Sequence, residues 1–234
     1  MQISDPRFRV AAARRILYRG GCDSLVAGHV SARAEGGDSF WMSPFEYFDE
    51  TTPERIVRLG LDLEPLEGSW EASPAAQFHA ALYAARPDVG SVIHTHSHWL
   101  SVFVTRRERI GMYNAGSVLF YADQVLHEDD GSGPAVEGET LARKLGDKHV
   151  ILIKNHGAIV VAETLEVATI KALMLEQAAR YHLEAERWGG SEFPEAEVLR
   201  GRKAYEKHFL PQMWQANLRR LRRSDPDLFE SLDD

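Results

Sequence analysis

The sequence predicts an α/β fold, a three-layer α/β/α sandwich around a mixed sheet. Two observations carry that prediction. Short runs rich in Val, Ile, Leu and aromatic residues recur along the chain, and helix-forming stretches with their own caps and stops separate them, so helices fall on both sides of a sheet. At 234 residues the chain is also long enough to bury a core against each sheet face, and it reads as a single domain over residues 1–234.

Taken in order, Asp5–Arg19 reads as an opening helix. Asp5 stands as N-cap ahead of Pro6, whose fixed φ suits a first helical turn, and Gly20-Gly21 ends the run. Arg14, Arg15 and Arg19 are expected on its solvated face. Short strands follow at His29–Arg33 and Phe40–Ser43, joined through Ala34–Ser39 with a Gly36-Gly37 turn. Thr52-Pro53 opens a short helix, and Leu59–Leu66 alternates enough to be a strand. Ser73 caps, and Pro74 begins, a helix running to Ala85. Pro87 then stops the helix-like run Ala80–Gly90 before Ser91–Ser97, SVIHTHS, where Val92 and Ile93 favour an extended chain. Trp99–Thr105 turns helical, Val118–Tyr121 is a short strand, and His127–Gly138, HEDDGSGPAVEG, looks like a flexible insertion before a helix at Glu139–Leu145. His149–Ile153 and Ala158–Ala162 form a strand pair around an Asn-His-Gly turn. Thr164–Trp188 is a long amphipathic helix. Pro194–Arg223 is mostly helical and packs on the domain or on a neighbouring subunit.

Composition narrows the function classes. Apolar content of 44% and charged content of 26% are those of an ordinary globular protein, and a net charge of -8 argues against a general nucleic-acid binder. The basic helix face in Gly201–Arg223 is balanced by the acidic stretch Asp225–Asp234, which favours a solvated face over a nucleic-acid or membrane surface. The single cysteine, Cys22, excludes an intrachain disulfide and suits a reducing cytoplasm. No apolar run reaches the ~18 residues that a bilayer crossing needs, and MQISDPRFRVAAARR lacks a signal-peptide core. A cytoplasmic protein with neither membrane nor nucleic-acid partner is therefore expected.

The chemistry concentrates in two segments. His94 and His96 are two apart, so on an extended chain their imidazoles project from one face. Zinc and its first-row neighbours favour imidazole nitrogen, and a catalytic ion has about three protein ligands and an open position. His156, in IKNHGA, follows a second apolar strand at its turn and supplies a candidate third ligand. On spacing alone, HTHSH remains readable as a polar strand end.

The segments GHVSAR (Gly28–Arg33), FHAALYAARPDVGSVIHTHS (Phe78–Ser97) and KNHGA (Lys154–Ala158), in that order and spacing, resemble the class II aldolase/adducin family. The resemblance runs from the first helix to Trp188. It implies an α/β/α fold whose central sheet is largely antiparallel, and a homotetramer with active sites at subunit interfaces. It also implies a divalent zinc, manganese or similar ion held by His94, His96 and His156.

Departures from the family's sugar-phosphate aldolases bear on the substrate. Their acid–base Glu lies four residues before the position of His79, and here Ala75 stands there; Glu71 is close but off register. Their phosphate-holding loops correspond to Gly28-His29, Phe45-Glu46 and Ser73-Pro74. A carboxylate at Glu46 repels a phosphate dianion, and Pro74 has no amide hydrogen to offer one. The aromatic stretch FWMSPFEYF (Phe40–Phe48) suits instead a ring or short acyl chain, although Phe40 and Trp41 also fit a core. The GHVS motif is similar to that of the family's decarboxylases of hydroxylated aromatic acids. That makes His29 a candidate acid–base or carboxylate contact, against the alternative of a structural His. Arg33 is a candidate partner for a substrate carboxylate or for an ion pair, and Ser31 and Ser43 for substrate hydrogen bonds or turn caps. Tyr121, in VLFYAD, falls where the family's aldolases place a catalytic Tyr serving a neighbouring subunit, and is otherwise a half-buried strand residue.

The expected activity is thus a divalent-metal carbon–carbon lyase, a decarboxylase of a non-phosphorylated hydroxylated carboxylic acid. Its alternatives are an aldolase acting on a hydroxy-oxo acid or sugar derivative, and an oxygenase built on ferrous iron (Fe2+) in place of zinc or manganese. A metal-free binding module of the adducin kind is the rival outside enzymology.

Overall fold

The structure, a computed structural model, describes residues 1–128, 134–230 and 232. Its strands are β1 (His29–Arg33), β2 (Ser39–Met42), β3 (Val57–Gly60), β4 (Pro65–Glu67), β5 (Ser91–Thr95), β6 (Gln124–His127), β7 (Val150–Ile153) and β8 (Gly157–Ala162). They form one sheet in the order β4-β3-β2-β1-β5-β8-β7-β6, antiparallel throughout except where β6 runs parallel to β7. The α-helices among the described residues are α1 (Pro6–Arg19), α2 (Ala76–Ala85), α3 (His98–Phe103), α4 (Pro134–Leu145), α5 (Leu165–Arg187), α6 (Glu195–Ala204) and α7 (Leu210–Ser224).

Strand alternation sorts the side chains between two cores. Ile93, Val150, Leu152, Ala158 and Val160 join Phe8 and Ile16 of α1, Leu100 and Phe103 of α3 and Leu175 of α5. Val92, Ile151, Ile153, Ile159 and Val161 face the other way, against Ala80 and Leu82 of α2 and Leu141 and Leu145 of α4. The result is the α/β/α sandwich, with a largely antiparallel central sheet. Val198, Leu210, Trp214, Leu218 and Leu221 of the C-terminal helices extend the first core, where α7 lies against α5 and α1.

Several expectations are corrected. Arg14 and Arg15 are buried rather than solvated: Arg14 donates to the carbonyls of Pro44 and Glu46 and lies over the Phe48 ring, and Arg15 donates to Thr51 O and pairs with Asp225 and Asp227. Leu59–Leu66 is a hairpin between β3 and β4, because Asp62 Oδ1 accepts from Glu64 N and Leu63 takes a left-handed φ of 70°. Val118–Tyr121 lies in a 3-10 turn, Ser117–Phe120, and the strand comes after it, at β6. The helix placed at Ser73 begins at Ala76, after a turn closed by Ala76 N donating to Ser73 O. The stretch expected as a flexible insertion already enters α4 at Pro134, and its residues 129–133 lie outside the described ones. Ser231, Asp233 and Asp234 of the acidic stretch lie outside them too.

Candidate metal centre

His94 lies near the end of β5, opposite His29 of β1 and beside Ile159 of β8. Its Nδ1 is 2.9 Å from Ala158 O, and a carbonyl only accepts, so Nδ1 carries the proton and Nε2 is left as a bare donor atom. His96, two residues on, projects from the same face; its Nε2 is 2.6 Å from His94 Nε2. The hairpin from β7 to β8 brings His156 to the same place. Asn155, which tolerates the left-handed region, turns the chain there with φ 55°, and its N–H is fixed to Val104 O at the end of α3. Ring centroids of the three histidines lie 4.4, 4.7 and 5.0 Å apart. One nitrogen from each falls within 4.8 Å of the others.

Two contacts from outside the strand hold this arrangement. The His96 N–H donates to Ser24 Oγ at 2.7 Å. Ser97 donates its hydroxyl to the buried Glu176 of α5, and the same carboxylate accepts from the N–H groups of Trp99 and Leu100 at 2.8 Å. Burial, and then the neighbouring rings, push the His94 pKa well below the usual imidazole value, and that of His96 down to about 4. Both are therefore neutral imidazoles at neutral pH, the form that ligates a metal. The donor set fits a first-row divalent ion.

Glu108, His182 and Glu186 also bring three ligand atoms within 4.8 Å. There, however, His182 Nδ1 already accepts from Gly111 N, and Arg106 pairs with both carboxylates. That group is already engaged by Arg106 and a backbone amide, which offset part of its charge.

The other residues singled out in the sequence have these places. His29 stacks on His94 with centroids 4.7 Å apart, and its Nδ1 is hydrogen-bonded to His79 Nε2. Ser31 is buried with its hydroxyl between His79 Nδ1 and the Tyr83 hydroxyl. Arg33 donates to the carbonyls of Gly37, Tyr83, Arg86 and Val89, and Ser43 Oγ accepts from Val30 N. The structure thus joins His29 to the three-histidine group and gives Ser31, Arg33 and Ser43 protein partners behind it. Tyr121 is not joined to the group: its hydroxyl donates to Glu195 of α6. Of the aromatic stretch, Phe40, Trp41 and Phe48 are core, and Phe45 and Tyr47 are exposed. His79 and Tyr83 are the additions that sequence reasoning did not single out. Their signal was present, since four residues apart in FHAALY they share one helix face.

Residues 8–183 match the family described as Class II Aldolase and Adducin N-terminal domain. The chain belongs to the class II aldolase/adducin family. Within it, the chain is 32% identical over 202 residues to a protein of Streptomyces roseochromogenus subsp. oscitans named 4-hydroxy-3-prenylphenylpyruvate oxygenase/4-hydroxy-3-prenylbenzoate synthase, a match covering 83% of this chain and 73% of that one. It is likewise 32% identical to Decarboxylase NovR of Streptomyces niveus, over 83% of this chain and 74% of that one. Among solved class II aldolase structures, an aldolase II superfamily protein from Pseudomonas syringae superposes with a TM-score of 0.84 at 25% identity, over 96% of this chain and 94% of that one.

Proposed function

We propose that this class II aldolase-family chain is a divalent-metal-dependent carbon–carbon lyase, a decarboxylase of a non-phosphorylated, hydroxylated aromatic carboxylic acid. The observation that carries the reading is the convergence of His94, His96 and His156 on one point, with a fourth imidazole, His29, stacked on His94. Zinc or manganese suits three imidazoles and open positions. A divalent ion held there would act as a Lewis acid toward the electron density released when the carbon–carbon bond breaks.

The chain's own residues shape the rest. Ala75, at the start of α2, offers no carboxylate where sugar-phosphate aldolases carry their acid–base Glu, and decarboxylation needs no base to begin. Glu46 is buried and paired with Arg55, an anion in a loop that would otherwise serve a phosphate. Phe78, whose ring centroid is 6.5 Å from that of His29, offers an apolar wall for a ring. Names of relatives agree with the class: one is a decarboxylase, and another acts on a hydroxylated aromatic oxo acid. In a homotetramer with sites at subunit interfaces, Tyr121 would return the proton to a neighbouring subunit's substrate. The setting we propose is cytoplasmic; among the described residues no helix is long and apolar enough to cross a membrane.

The second reading, an oxygenase using ferrous iron, is favoured by the oxygenase name of the Streptomyces roseochromogenus relative. Mass-spectrometric metal analysis, followed by anaerobic assays on a panel of ortho-hydroxy aromatic acids and hydroxy-oxo acids, tests both. Carbon dioxide release without oxygen is the expected result. Aldehyde release would make the chain an aldolase, turnover only with iron and oxygen would make it an oxygenase, and failure to take up any divalent ion would leave a binding module.

A further inference from the structure

His29 is buried, and among the described residues its one hydrogen-bond partner is His79 Nε2, met through Nδ1; its Nε2 has none. Behind it stands a single file of buried groups. His79 Nδ1 lies 2.6 Å from Ser31 Oγ, which lies 2.6 Å from the Tyr83 hydroxyl. Each link needs one donor and one acceptor, and among the described residues the single proton of the buried Ser31 hydroxyl has His79 Nδ1 or the Tyr83 oxygen to go to, so the side it takes sets the other links. The far end decides it. Tyr83 is buried, and Ser31 Oγ is the side-chain atom that its hydroxyl meets. Were Ser31 to donate outward, the Tyr83 O–H would be left without an acceptor where it is fully buried, whereas the opposite direction leaves the spare N–H on His29 Nε2, which is not among the fully buried unpaired atoms and can meet water, the cheaper arrangement. Tyr83 therefore donates to Ser31 and Ser31 to His79 Nδ1. The single N–H of His79, which burial keeps neutral by lowering its pKa to about 3, then sits on Nε2 and donates to His29 Nδ1. The remaining proton of His29 is on Nε2.

We propose that His29 is a fixed N–H donor to an anionic oxygen of the substrate, a carboxylate or a phenolate, with His79, Ser31 and Tyr83 as positioning residues that set its tautomer. The substrate half of this inference rests on the lyase reading; the tautomer rests on the file of hydrogen bonds alone. A ring protonated at Nε2 and accepting at Nδ1 has no lone pair left, so His29 is neither a fourth metal ligand nor a general base. It is not the proton source either. Giving up that proton would draw the file forward and end in a buried tyrosinate at Tyr83, whose pKa burial raises.

The test is nitrogen-15 NMR of histidine-labelled full chain at neutral pH, metal-free and after zinc addition. His29 signals are assigned by their loss in His29→Gln and, independently of that variant, by cross-peaks to the Phe78 ring. The expected spectrum shows Nε2 protonated and Nδ1 bare in both samples, and a mixture of tautomers in Tyr83→Phe, which frees the far end of the file. Addition of 2-hydroxybenzoate to the zinc form shifts the Nε2 proton, and His29→Leu weakens its binding about tenfold or more. A wild-type protein protonated at Nδ1, or a zinc-induced change of Nε2 into a bound ligand, would overturn the proposal. So would a tautomer indifferent to Tyr83→Phe. Because the tautomer is read without metal or substrate, a protein that takes up no metal would overturn the lyase reading and still decide this one.

Discussion

His156 reaches the cluster because the residue after it has no side chain. A Cβ on Gly157 would lie 2.3 Å from Thr95 O and 2.8 Å from His96 Cδ2, so β8 packs on β5 at this point only as glycine. Gly157→Ala is expected to push the hairpin turn away from β5, costing about 1–3 kcal/mol in urea unfolding and weakening zinc binding in a competition titration with a chelator. Unchanged zinc affinity would show that His156 is not held by this contact. His96→Ala removes a ligand outright and is expected to lose both bound metal and activity; retained activity would count directly against the proposed mechanism. At this scale the motif residues were legible because HxH on a strand and Asn-His-Gly at a turn have local geometric meaning. Ser31, Arg33 and Ser43 were not, because whether a hydroxyl or guanidinium meets substrate or a backbone carbonyl depends on burial, a property of the folded chain. Arg33, which donates to four carbonyls, is the clearest case.

Among the elements, α3 is six residues long and follows His96 almost directly, and a helix that short is not stable by itself. Its first amides find their acceptor on another helix. Glu176 of α5 takes Trp99 N, Leu100 N and the Ser97 hydroxyl, and its charge complements the positive end of α3. Glu176→Ala is expected to destabilise the fold by about 1.5–3 kcal/mol, the range for hydrogen bonds to a charged group, and to weaken zinc binding by loosening Ser97 beside His96. Glu176→Gln keeps one acceptor oxygen and should recover part of both losses, as measured by urea unfolding and zinc titration. Wild-type zinc affinity in Glu176→Ala would mean that the cap does not position the ligand. The long helices were legible in sequence, α1 with its Asp5 cap and α5 with its Thr164 cap, and so was β1 in its full extent. Two short stretches were not. Leu59–Leu66 keeps one alternating pattern through a reversal made by the Asp62 side chain, and the apolar run at Val118–Tyr121 is a buried 3-10 turn, which hydrophobicity alone does not separate from a strand.

Across the whole molecule, the cost of the design is a group of imidazoles kept neutral inside the sandwich. The unfolded chain titrates histidine near 6.5, whereas folded His79 titrates at about 3 and His96 at about 4. Both native values are depressed, so between pH 6.5 and about 4 the unfolded chain binds protons that the native one refuses. Stability is therefore fully present above pH 6.5 and is lost as pH falls through this window, each such ring adding up to about 1.4 kcal/mol per pH unit. The paired carboxylates Asp5 and Asp225 act lower, because an aspartate ordinarily titrates near 3.8 and the fold lowers it further. Urea midpoints measured on metal-free protein from pH 8 to pH 5 thus report chiefly the histidines, since Glu128 and Glu186, lowered from 4.5, act mostly below that range. A midpoint that falls steadily below pH 6.5 is expected. His79→Gln, which carries an amide in place of the buried ring, should fall less steeply, whatever its stability at pH 8. Zinc should raise the midpoint at pH 7.5 and lose that effect toward pH 5, as protons compete for the same nitrogens. A midpoint flat from pH 8 to pH 5 would mean that these rings charge as readily in the folded protein as in the unfolded chain, and that burial does not keep them neutral.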